Sequence, residues 1–247
     1  MSDAVAVHPN ETLDDLRLGD LKIIQKRDGY RFSLDPILLC GFASVNGVEA
    51  VVDLGTGSGV IPLLLARSSA ATRIVGVELQ AGLADRARRS VALNGLTERI
   101  EIVEGDLRTV ARQLGVGIFD LVLSNPPFRQ GGSGKIAPEA ERAAARHELA
   151  GGLADFLQAA ALLLRPGGRC GLIYLAERLT DLLVELRRAG LEPKRLRMVQ
   201  SRYGEGARLV LVEARRGGRP GLVVEAPLVI YAGEGYSAEV LAMYGED

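Results

Sequence analysis

Residues 50–61, which read AVVDLGTGSGVI, constrain the fold more than any other part of the chain. The apolar start at residues 50–52 is typical of a buried strand, and three glycines then alternate with small polar residues. The apolar run that follows, residues 60–66, has the length and spacing of a helix start. Glycine suits such a turn because a Cβ atom would block a ligand, and because some φ angles there are expected to be positive. Strand, glycine turn and helix predict a nucleotide-binding α/β unit whose helix N-terminus faces a polar ligand.

The glycine spacing separates two ligand classes. Dinucleotide folds use G-x-G-x-x-G and place a pyrophosphate on the helix end. This chain has G-x-G-x-G, and Asp53 precedes it at the end of the strand. A carboxylate there disfavours pyrophosphate and favours S-adenosylmethionine, which carries an amino group and a sulfonium but no phosphate. The pattern resembles motif I of class I S-adenosylmethionine methyltransferases, and a tight turn without a ligand is the alternative. The resemblance assigns the cofactor to Asp53, Gly55, Thr56, Gly57 and Gly59.

Acidic residues follow two further predicted strands. The run at residues 73–77 ends in Glu78, about 20 residues past the turn, where such folds place the acceptor for ribose hydroxyls. The run at residues 100–103 is followed by Asp106, which can accept a hydrogen bond from an adenine amino group. Any one of these acids can be a surface residue, but acids after three successive strands form a more specific signal. The predicted nucleoside site consists of Glu78, Leu79, Asp106 and Leu107.

Predicted strands and helices alternate along the chain, which indicates a mainly parallel sheet covered on both faces. We therefore predict an α/β fold of the class I methyltransferase (Rossmann-like) type, with seven strands. Residues 1–40 are expected to form an N-terminal extension packed on a methyltransferase domain at residues 41–247, with residues 1–20 loose at first and a short strand at residues 21–25. A loop and helix are expected over the site at residues 129–150, and residues 220–231 extend or wrap the sheet. The predicted strands lie at residues 50–52, 73–77, 100–103, 119–123, 169–175, 194–200 and 207–215, and the last two pair antiparallel.

Composition and charge narrow the class of protein. The apolar content of 47% and charged content of 25% are ordinary for a globular protein. No membrane-spanning run or signal peptide is evident, so we expect a cytoplasmic protein with no membrane partner. Cys40 and Cys170 are expected to be reduced core residues, and because His8 and His147 are the only histidines, we expect no zinc site. A formal net charge of −1 means that any RNA is held by a local basic patch.

The tetrapeptide Asn125-Pro126-Pro127-Phe128 follows the fourth core strand and carries the predicted chemistry. An exocyclic amino or amide nitrogen is a poor nucleophile because its lone pair is delocalised. The Asn125 side-chain oxygen and the Pro126 carbonyl can accept both N–H hydrogens, which favours a pyramidal nitrogen and frees the lone pair. The prolines fix these acceptors, and Phe128 offers a face for a planar group. The tetrapeptide resembles motif IV, N-P-P-[YF], of methyltransferases that act on planar-conjugated nitrogens. A proline-rich strand exit is the structural alternative.

Several flanking segments resemble the bacterial tRNA1(Val) adenine-37 N6-methyltransferase family. The resemblance spans nearly the whole chain, although Phe128 replaces the commoner Tyr. It implies methyl transfer from S-adenosylmethionine to an adenine of tRNA, leaving S-adenosylhomocysteine, with no metal and no obligate protein partner. The segments are YRFSLDPILL at residues 30–39, RHE at 146–148, ARLVLVEA at 207–214 and PLVIY at 227–231.

Other functions share parts of the pattern and stay open at this point. They are a protein-glutamine N5- or guanine N2-methyltransferase, an RNA-binding module with an inactive cofactor fold, and a nicotinamide dehydrogenase. Within the resemblance, Asp35 either caps the helix that starts at Asp35-Pro36 or lies over the cofactor's tail. The candidate RNA-binding cations, for which a solvated basic face is the alternative, are Lys22, Lys26, Arg27, Arg31, Arg195, Arg197, Arg202 and Arg208.

Overall fold

The computed structural model describes residues 5–28, 31–127 and 151–245. Within these ranges the helices are α1 (Asp35–Phe42), α2 (Val60–Ser68), α3 (Ala81–Leu93), α4 (Ala111–Leu114), α5 (Leu153–Leu163), α6 (Leu179–Arg188) and α7 (Ala238–Met243). The strands are β1 (Glu11–Asp15), β2 (Lys22–Lys26), β3 (Ala50–Leu54), β4 (Arg73–Glu78), β5 (Ile100–Glu104), β6 (Phe119–Ser124), β7 (Leu164–Leu175), β8 (Leu191–Gln200), β9 (Ala207–Arg216), β10 (Val223–Val224), β11 (Leu228–Val229), β12 (Tyr231–Ala232) and β13 (Gly235–Tyr236).

One mixed sheet organises the fold. Seven long strands lie in the order β8-β9-β7-β6-β3-β4-β5, and β9 runs antiparallel to both of its neighbours while β3 to β7 are mutually parallel. The predicted seven-stranded, mainly parallel sheet is therefore confirmed, together with the antiparallel pair at its end. The short strands β10 and β11 pair in parallel with β8, so residues 220–231 extend the sheet.

The alternation of side chains along the central strands explains why helices cover both faces. Val51 points into a core with residues of α1, α2 and α3, whereas its neighbour Val52 packs with residues of α5 and α6 on the other face. Both valines are fully buried. Strands buried on both faces read as continuous apolar runs, as residues 50–52 and 121–123 do. None of the helices in the described ranges combines the length and the apolar character that a membrane span requires.

The N-terminal residues are more ordered than the sequence predicted. Residues 11–15, expected to be loose, form β1, which pairs antiparallel with β2. Glu11 is buried and forms a bidentate pair with Arg89 of α3, with both N–O distances at 2.7 Å. The Ile24 N–H also donates to the Ser90 hydroxyl of α3 at 3.0 Å. The hairpin therefore packs on α3; the division of the chain at residue 40 stays a prediction, and α1 spans that position.

Two local predictions were wrong in detail. Asp35 is not an N-cap: Leu34 occupies that position in a helical conformation without a capping bond, and Asp35 is the first helical residue. Strand β7 begins at Leu164 rather than at the predicted residue 169, because Leu164 already pairs with Phe119 across a bulge. Residues 129–150, predicted to form a loop and helix over the site, lie outside the described ranges.

Candidate active site

The glycine turn has the backbone geometry that its sequence predicts. Gly55, Gly57 and Gly59 have φ angles of +78°, +58° and +88°, which L-residues with a Cβ rarely adopt. A Cβ on Gly59 would lie 3.2 Å from the Ala87 side chain, so this glycine allows α2 to pack against α3. A Cβ on Gly57 would meet no described atom within 4 Å. The middle of the turn therefore faces open space beside the end of β3, where a ligand can approach the backbone.

Glu78 at the end of β4 is joined directly to this turn. Its buried carboxylate accepts hydrogen bonds from the backbone N–H of Gly57 and of Gln80, both at 2.9 Å. Burial raises the pKa of Glu78, and these backbone donors oppose the rise. The Gly105 N–H donates to the Glu78 carbonyl at 2.9 Å and links the ends of β4 and β5. Glu78 and its half-buried neighbour Leu79 therefore lie beside the turn, as predicted from the chain order.

Asp53 is a buried carboxylate without a hydrogen-bond partner. Only 1% of its surface is exposed, and neither carboxylate oxygen has a partner within the described residues; the same holds for the Thr56 hydroxyl. Burial raises the pKa of Asp53 to about 7, the nearby Thr56 hydroxyl opposes the rise, and the charge of Glu78 adds to it. A buried acceptor left unsatisfied costs about 1–3 kcal/mol, and more when charged. This arrangement fits a ligand that brings a cationic or N–H donor to Asp53.

Asp106 follows β5 and is engaged by its own neighbour. The Arg108 guanidinium lies 2.5–2.9 Å from the two carboxylate oxygens of Asp106, and the Arg108 N–H donates to the same carboxylate at 2.9 Å. The Arg108 hydrogen bond lowers the pKa of Asp106. Leu107, between them, is buried. Arg108 was not among the residues predicted for the site, although the D-x-R spacing is visible in the sequence.

The exit of β6 brings Asn125 close to the glycine turn. Strands β3 and β6 are parallel neighbours with Asp53 opposite Leu123, so Asn125 and Gly55 each lie two residues beyond that pair. The Ser124 hydroxyl donates to the Leu54 carbonyl at 2.8 Å and ties the two strand ends together. Asn125 is half-buried and Pro126 is buried. The loop and the turn therefore leave the same edge of the sheet side by side; Pro127 is half-buried and Phe128 lies outside the described residues.

Asp35 lies at the start of α1, which packs against α2 and β7. Burial raises the pKa of its carboxyl, and the Ser33 hydroxyl beside it opposes the rise. Further along the helix, burial and the charge of Asp53 raise the pKa of the Cys40 thiol, so α1 passes close to the buried acid. The proposed place of Asp35 over the cofactor's tail stays a prediction.

Two members of the basic patch predicted on the last strands form ion pairs within the protein. Arg195 pairs with Glu225 at 2.6 Å, donates to the Ser44 hydroxyl at 2.8 Å, and lies 4.4 Å above the Phe42 ring. Arg197 forms a bidentate pair with Glu239. Alternation along β8 turns both side chains to the face on which the C-terminal segment returns. They hold that segment in place, and sequence reasoning missed this because the acids lie 30 and 42 residues away.

A surface cleft of about 540 Å³ lies away from these residues. The cleft is lined by the cations Lys194, Arg215, Arg216 and Arg219. It lies near the amino end of β7, where Arg215 of β9 is opposite Arg169 of β7 in the sheet. The predicted site residues are at the carboxyl ends of the parallel strands. The cleft is therefore separate from the edge on which Asp53, Glu78 and Asn125 meet.

Comparison with known proteins identifies the family. Residues 37–178, more than half of the chain, match the family model described as the methyltransferase small domain. The tRNA1(Val) (adenine(37)-N6)-methyltransferase of Tolumonas auensis is 30% identical over 226 residues, covering 91% of this chain and 92% of the relative. The chain belongs to this methyltransferase family. Two further relatives have the same description. The relative from Aeromonas hydrophila has 34% identity, and the match covers 77% of this chain and 79% of the relative. The relative from Porphyromonas gingivalis has 35% identity, and the match covers 62% of this chain but only 61% of the relative.

Solved structures agree with the family's class I fold. A predicted O-methyltransferase from Agrobacterium tumefaciens is 22% identical with a TM-score of 0.70, and the match covers 86% of this chain and 96% of the other. The TYW2 protein of M. jannaschii in complex with AdoMet has 17% identity and a TM-score of 0.56, with 84% and 86% covered. At these identities the similarity shows the fold, and the site rests on the residues of this chain.

Proposed function

We propose that this chain transfers a methyl group from S-adenosylmethionine to the exocyclic N6 of an adenine in tRNA, at position 37 of tRNA1(Val). The observation that carries the proposal is the juxtaposition of the Asn125-Pro126 acceptors with the glycine turn and the unpartnered Asp53. The relatives named tRNA1(Val) (adenine(37)-N6)-methyltransferase support the same acceptor. A tRNA substrate in turn implies a cytoplasmic protein.

The residues around the glycine turn fit the parts of S-adenosylmethionine. Asp53 supplies a buried carboxylate for the cationic amino group, and Gly57 lets the ligand approach the backbone. Glu78 uses two acceptor sites for backbone N–H groups, and a carboxylate has about four, so two remain for ribose hydroxyls. When bound, the cofactor supplies an electrophilic methyl group on a sulfonium. Thr56, Gly55 and Gly59 complete the turn.

Recognition of the adenine ring of the cofactor is assigned to Asp106, Leu79 and Leu107. Asp106 can accept from the adenine amino group only if Arg108 shares its carboxylate. The Arg108 side chain is 48% exposed, and solvent screens exposed ion pairs, so Arg108 opposes hydrogen bonding of Asp106 to the adenine only weakly. The buried Leu107 and half-buried Leu79 offer apolar contacts for the ring.

Asn125 and Pro126 prepare the nucleophile. The Asn125 side-chain oxygen accepts one N–H of the target amino group, and the Pro126 carbonyl accepts the other. The two prolines hold these acceptors in place before substrate binds, so little reorganisation is required as the nitrogen becomes pyramidal. Phe128 stacks on the target base. The methylated nitrogen loses its extra proton after methyl transfer, so this set of residues needs no general base.

A protein-glutamine methyltransferase is the second candidate, since the N-P-P-F motif is shared. The relatives from Tolumonas auensis and Aeromonas hydrophila are described as tRNA methyltransferases, which favours an RNA substrate. A guanine N2 acceptor offers the same two N–H groups to Asn125 and Pro126, so the choice between purines requires experiment.

The test is mass spectrometry of nucleosides after unmodified tRNA is incubated with the protein and methyl-labelled cofactor. We expect label in N6-methyladenosine, and labelling that is about 100- to 1,000-fold slower when Asn125→Ala replaces the wild type. Label in N2-methylguanosine would select the guanine alternative. Unlabelled nucleosides, together with labelled glutamine when a protein substrate replaces the tRNA, would select the glutamine alternative.

A further inference from the structure

The turn between β8 and β9 presents one aromatic ring to solvent. Residues 202–205 form a β-turn closed by the Glu205 N–H, which donates to the Arg202 carbonyl at 3.1 Å. Gly204 has φ +82°, the value that a type II turn requires at its third position, so Tyr203 occupies the second. Tyr203 is 91% exposed, more than any other large hydrophobic residue in the described ranges. A defined turn therefore holds an unburied aromatic side chain at its apex.

This turn lies at the catalytic edge of the sheet. Gln200 pairs with Ala207 at the base of the hairpin, and Leu209 pairs with Leu175, the carboxyl end of β7. Strand β7 is the neighbour of β6, which leads to Asn125. With about 4.8 Å between adjacent strands, β9 lies roughly 10 Å from β6 across the sheet. Tyr203 is thus within reach of nucleotides that flank a base held at Asn125.

The base of the hairpin is braced by a row of aromatic rings. The Arg202 guanidinium donates to the Gly233 carbonyl at 2.5 Å and lies 5.8 Å above the Tyr231 ring. Tyr231 stacks on Tyr236 at 5.4 Å, and Tyr236 stacks on Tyr244 at 5.8 Å. These contacts fix Arg202, the first residue of the turn, and Tyr203 beside it is 91% exposed against 38% for Tyr231. A turn anchored at its first residue loses less backbone entropy when a partner stacks on its apex.

The charge at the tip suits a polyanion. Within the described ranges, neither Arg202 nor Arg208 lies within 4.0 Å of a carboxylate, in contrast to Arg195 and Arg197 on the same hairpin. Arg208 is exposed on β9. An aromatic platform beside unneutralised guanidinium groups is the arrangement that binds single-stranded nucleic acid, because bases stack on the ring and phosphates contact the cations.

We propose that Tyr203 is a substrate-positioning residue that stacks on a base flanking the methylated adenine, while Arg208 contacts a neighbouring phosphate. This inference rests on the proposed function, since it names the part of the surface that holds the RNA loop at the same site. It assigns to Tyr203 binding and orientation of the loop and leaves the chemistry to Asn125.

The test compares Tyr203→Ala, Tyr203→Phe and Val224→Ala, the last being a control that truncates another exposed apolar residue, 66% exposed on β10. We measure tRNA affinity, KM for tRNA, kcat and cofactor affinity. Tyr203→Ala is expected to weaken tRNA binding and raise KM by about 5- to 150-fold, the range of one lost base stack, with kcat little changed. Tyr203→Phe retains the ring and should match the wild type, as should Val224→Ala. Cofactor affinity should be equal in all four proteins.

A second readout reports stacking itself. An anticodon stem-loop RNA carrying 2-aminopurine next to the target adenine should lose fluorescence on binding to the wild type and to Tyr203→Phe, but not to Tyr203→Ala. Wild-type tRNA affinity and quenching in Tyr203→Ala would overturn the inference, as would failure of Tyr203→Phe to restore them. If the wild type methylates no RNA, the proposed function itself fails; if it methylates RNA and Tyr203→Ala is unaffected, only the role of Tyr203 fails.

Discussion

The carboxylate of Glu78 accepts a hydrogen bond from the Gly57 N–H at 2.9 Å, so the acid at the end of β4 fixes the glycine turn that follows β3. The other carboxylate oxygen accepts from the Gln80 N–H, which orients the start of α3. Glu78 is therefore a structural acceptor as well as the predicted ribose acceptor. Its substitution must affect both the turn and the ligand, and the two effects can be separated only with a matched control.

Replacing Glu78 with alanine should weaken S-adenosylmethionine binding by about 10- to 150-fold, since a hydrogen bond to a charged group contributes roughly 1.5–3 kcal/mol. The same change leaves the Gly57 and Gln80 donors without acceptors and should lower the free energy of unfolding. Calorimetric titration of folded protein measures the affinity, and denaturant unfolding measures stability. Glu104→Ala, at the exposed end of neighbouring β5, is the control and should change neither. Equal cofactor affinity in Glu78→Ala and the wild type would remove Glu78 from the cofactor site.

Asp53 should make the stability of the ligand-free protein depend on pH. Its folded pKa of about 7 lies above the ordinary value of 3.8, so the folded state binds the proton more tightly than the unfolded state does. Its stabilising contribution is complete below pH 4 and is lost as pH rises through about 7. Asp53→Asn has no carboxyl to ionise and so removes this loss. Between pH 4 and 7 we therefore expect the free energy of unfolding of the variant to increase relative to that of the wild type, by a few kcal/mol at most. Unfolding curves at pH 5 and pH 8 measure the gain; an equal stability difference at both would contradict the burial argument.

Affinity for the cofactor should change with pH in the opposite sense to stability. A cationic amino group binds ionised Asp53, so wild-type affinity for S-adenosylmethionine should rise as pH increases through about 7. Asp53→Asn should bind the cofactor more weakly, by about 10-fold or more, and without that rise. A variant that is more stable but binds its ligand less well is typical of a functional acid. Titration calorimetry across the same pH range provides the comparison, and a wild-type affinity that is flat with pH would count against the pairing.

Arg195 should contribute to stability and leave RNA binding unchanged. Removing it leaves the buried Glu213 carboxylate without its charge partner 3.6 Å away, and leaves Glu225 unpaired. Loss of one partner of a fully buried pair costs about 3–5 kcal/mol; because the Arg195 side chain is 30% exposed, we expect about 1–3 kcal/mol for Arg195→Ala. Arg187→Ala, which breaks an exposed pair with Glu192, is the control and should cost under about 1 kcal/mol. Weakened tRNA binding by folded Arg195→Ala would restore the original RNA-patch assignment.

The sequence was informative where the physics is local. A buried parallel strand requires an apolar run, and a turn with positive φ angles requires glycine, so β3, its turn and the start of α2 could be read directly. The positions of Glu78 and Asp106 at one edge of the sheet followed from the predicted strand ends alone. Pairings between distant residues could not be read in the same way, because no local signal shows that Arg195 meets Glu225 or that Glu11 meets Arg89. For the same reason β1 was not predicted: Leu13 is the one apolar residue of its five, and the buried residue Glu11 is buried through its pairing with Arg89 of α3.

Asn125→Ala should lower kcat more than it raises KM for tRNA. The amide oxygen of Asn125 is a preorganised acceptor whose hydrogen bond strengthens as the target nitrogen becomes pyramidal, so its loss affects the transition state more than the bound substrate. By analogy with loss of one preorganised donor, the decrease should be about 100- to 1,000-fold. Asn125→Asp keeps an acceptor but adds a negative charge, so it should retain partial activity.

Phe128→Ala should instead weaken base capture, at about 1–3 kcal/mol for the lost stack. Single-turnover methylation of an adenine-37 tRNA transcript with saturating cofactor separates these effects. Wild-type methyl transfer by Asn125→Ala would mean that the loop after β6 is a structural turn, held by the Ser124 hydroxyl on the Leu54 carbonyl, and that the nucleophile is activated elsewhere.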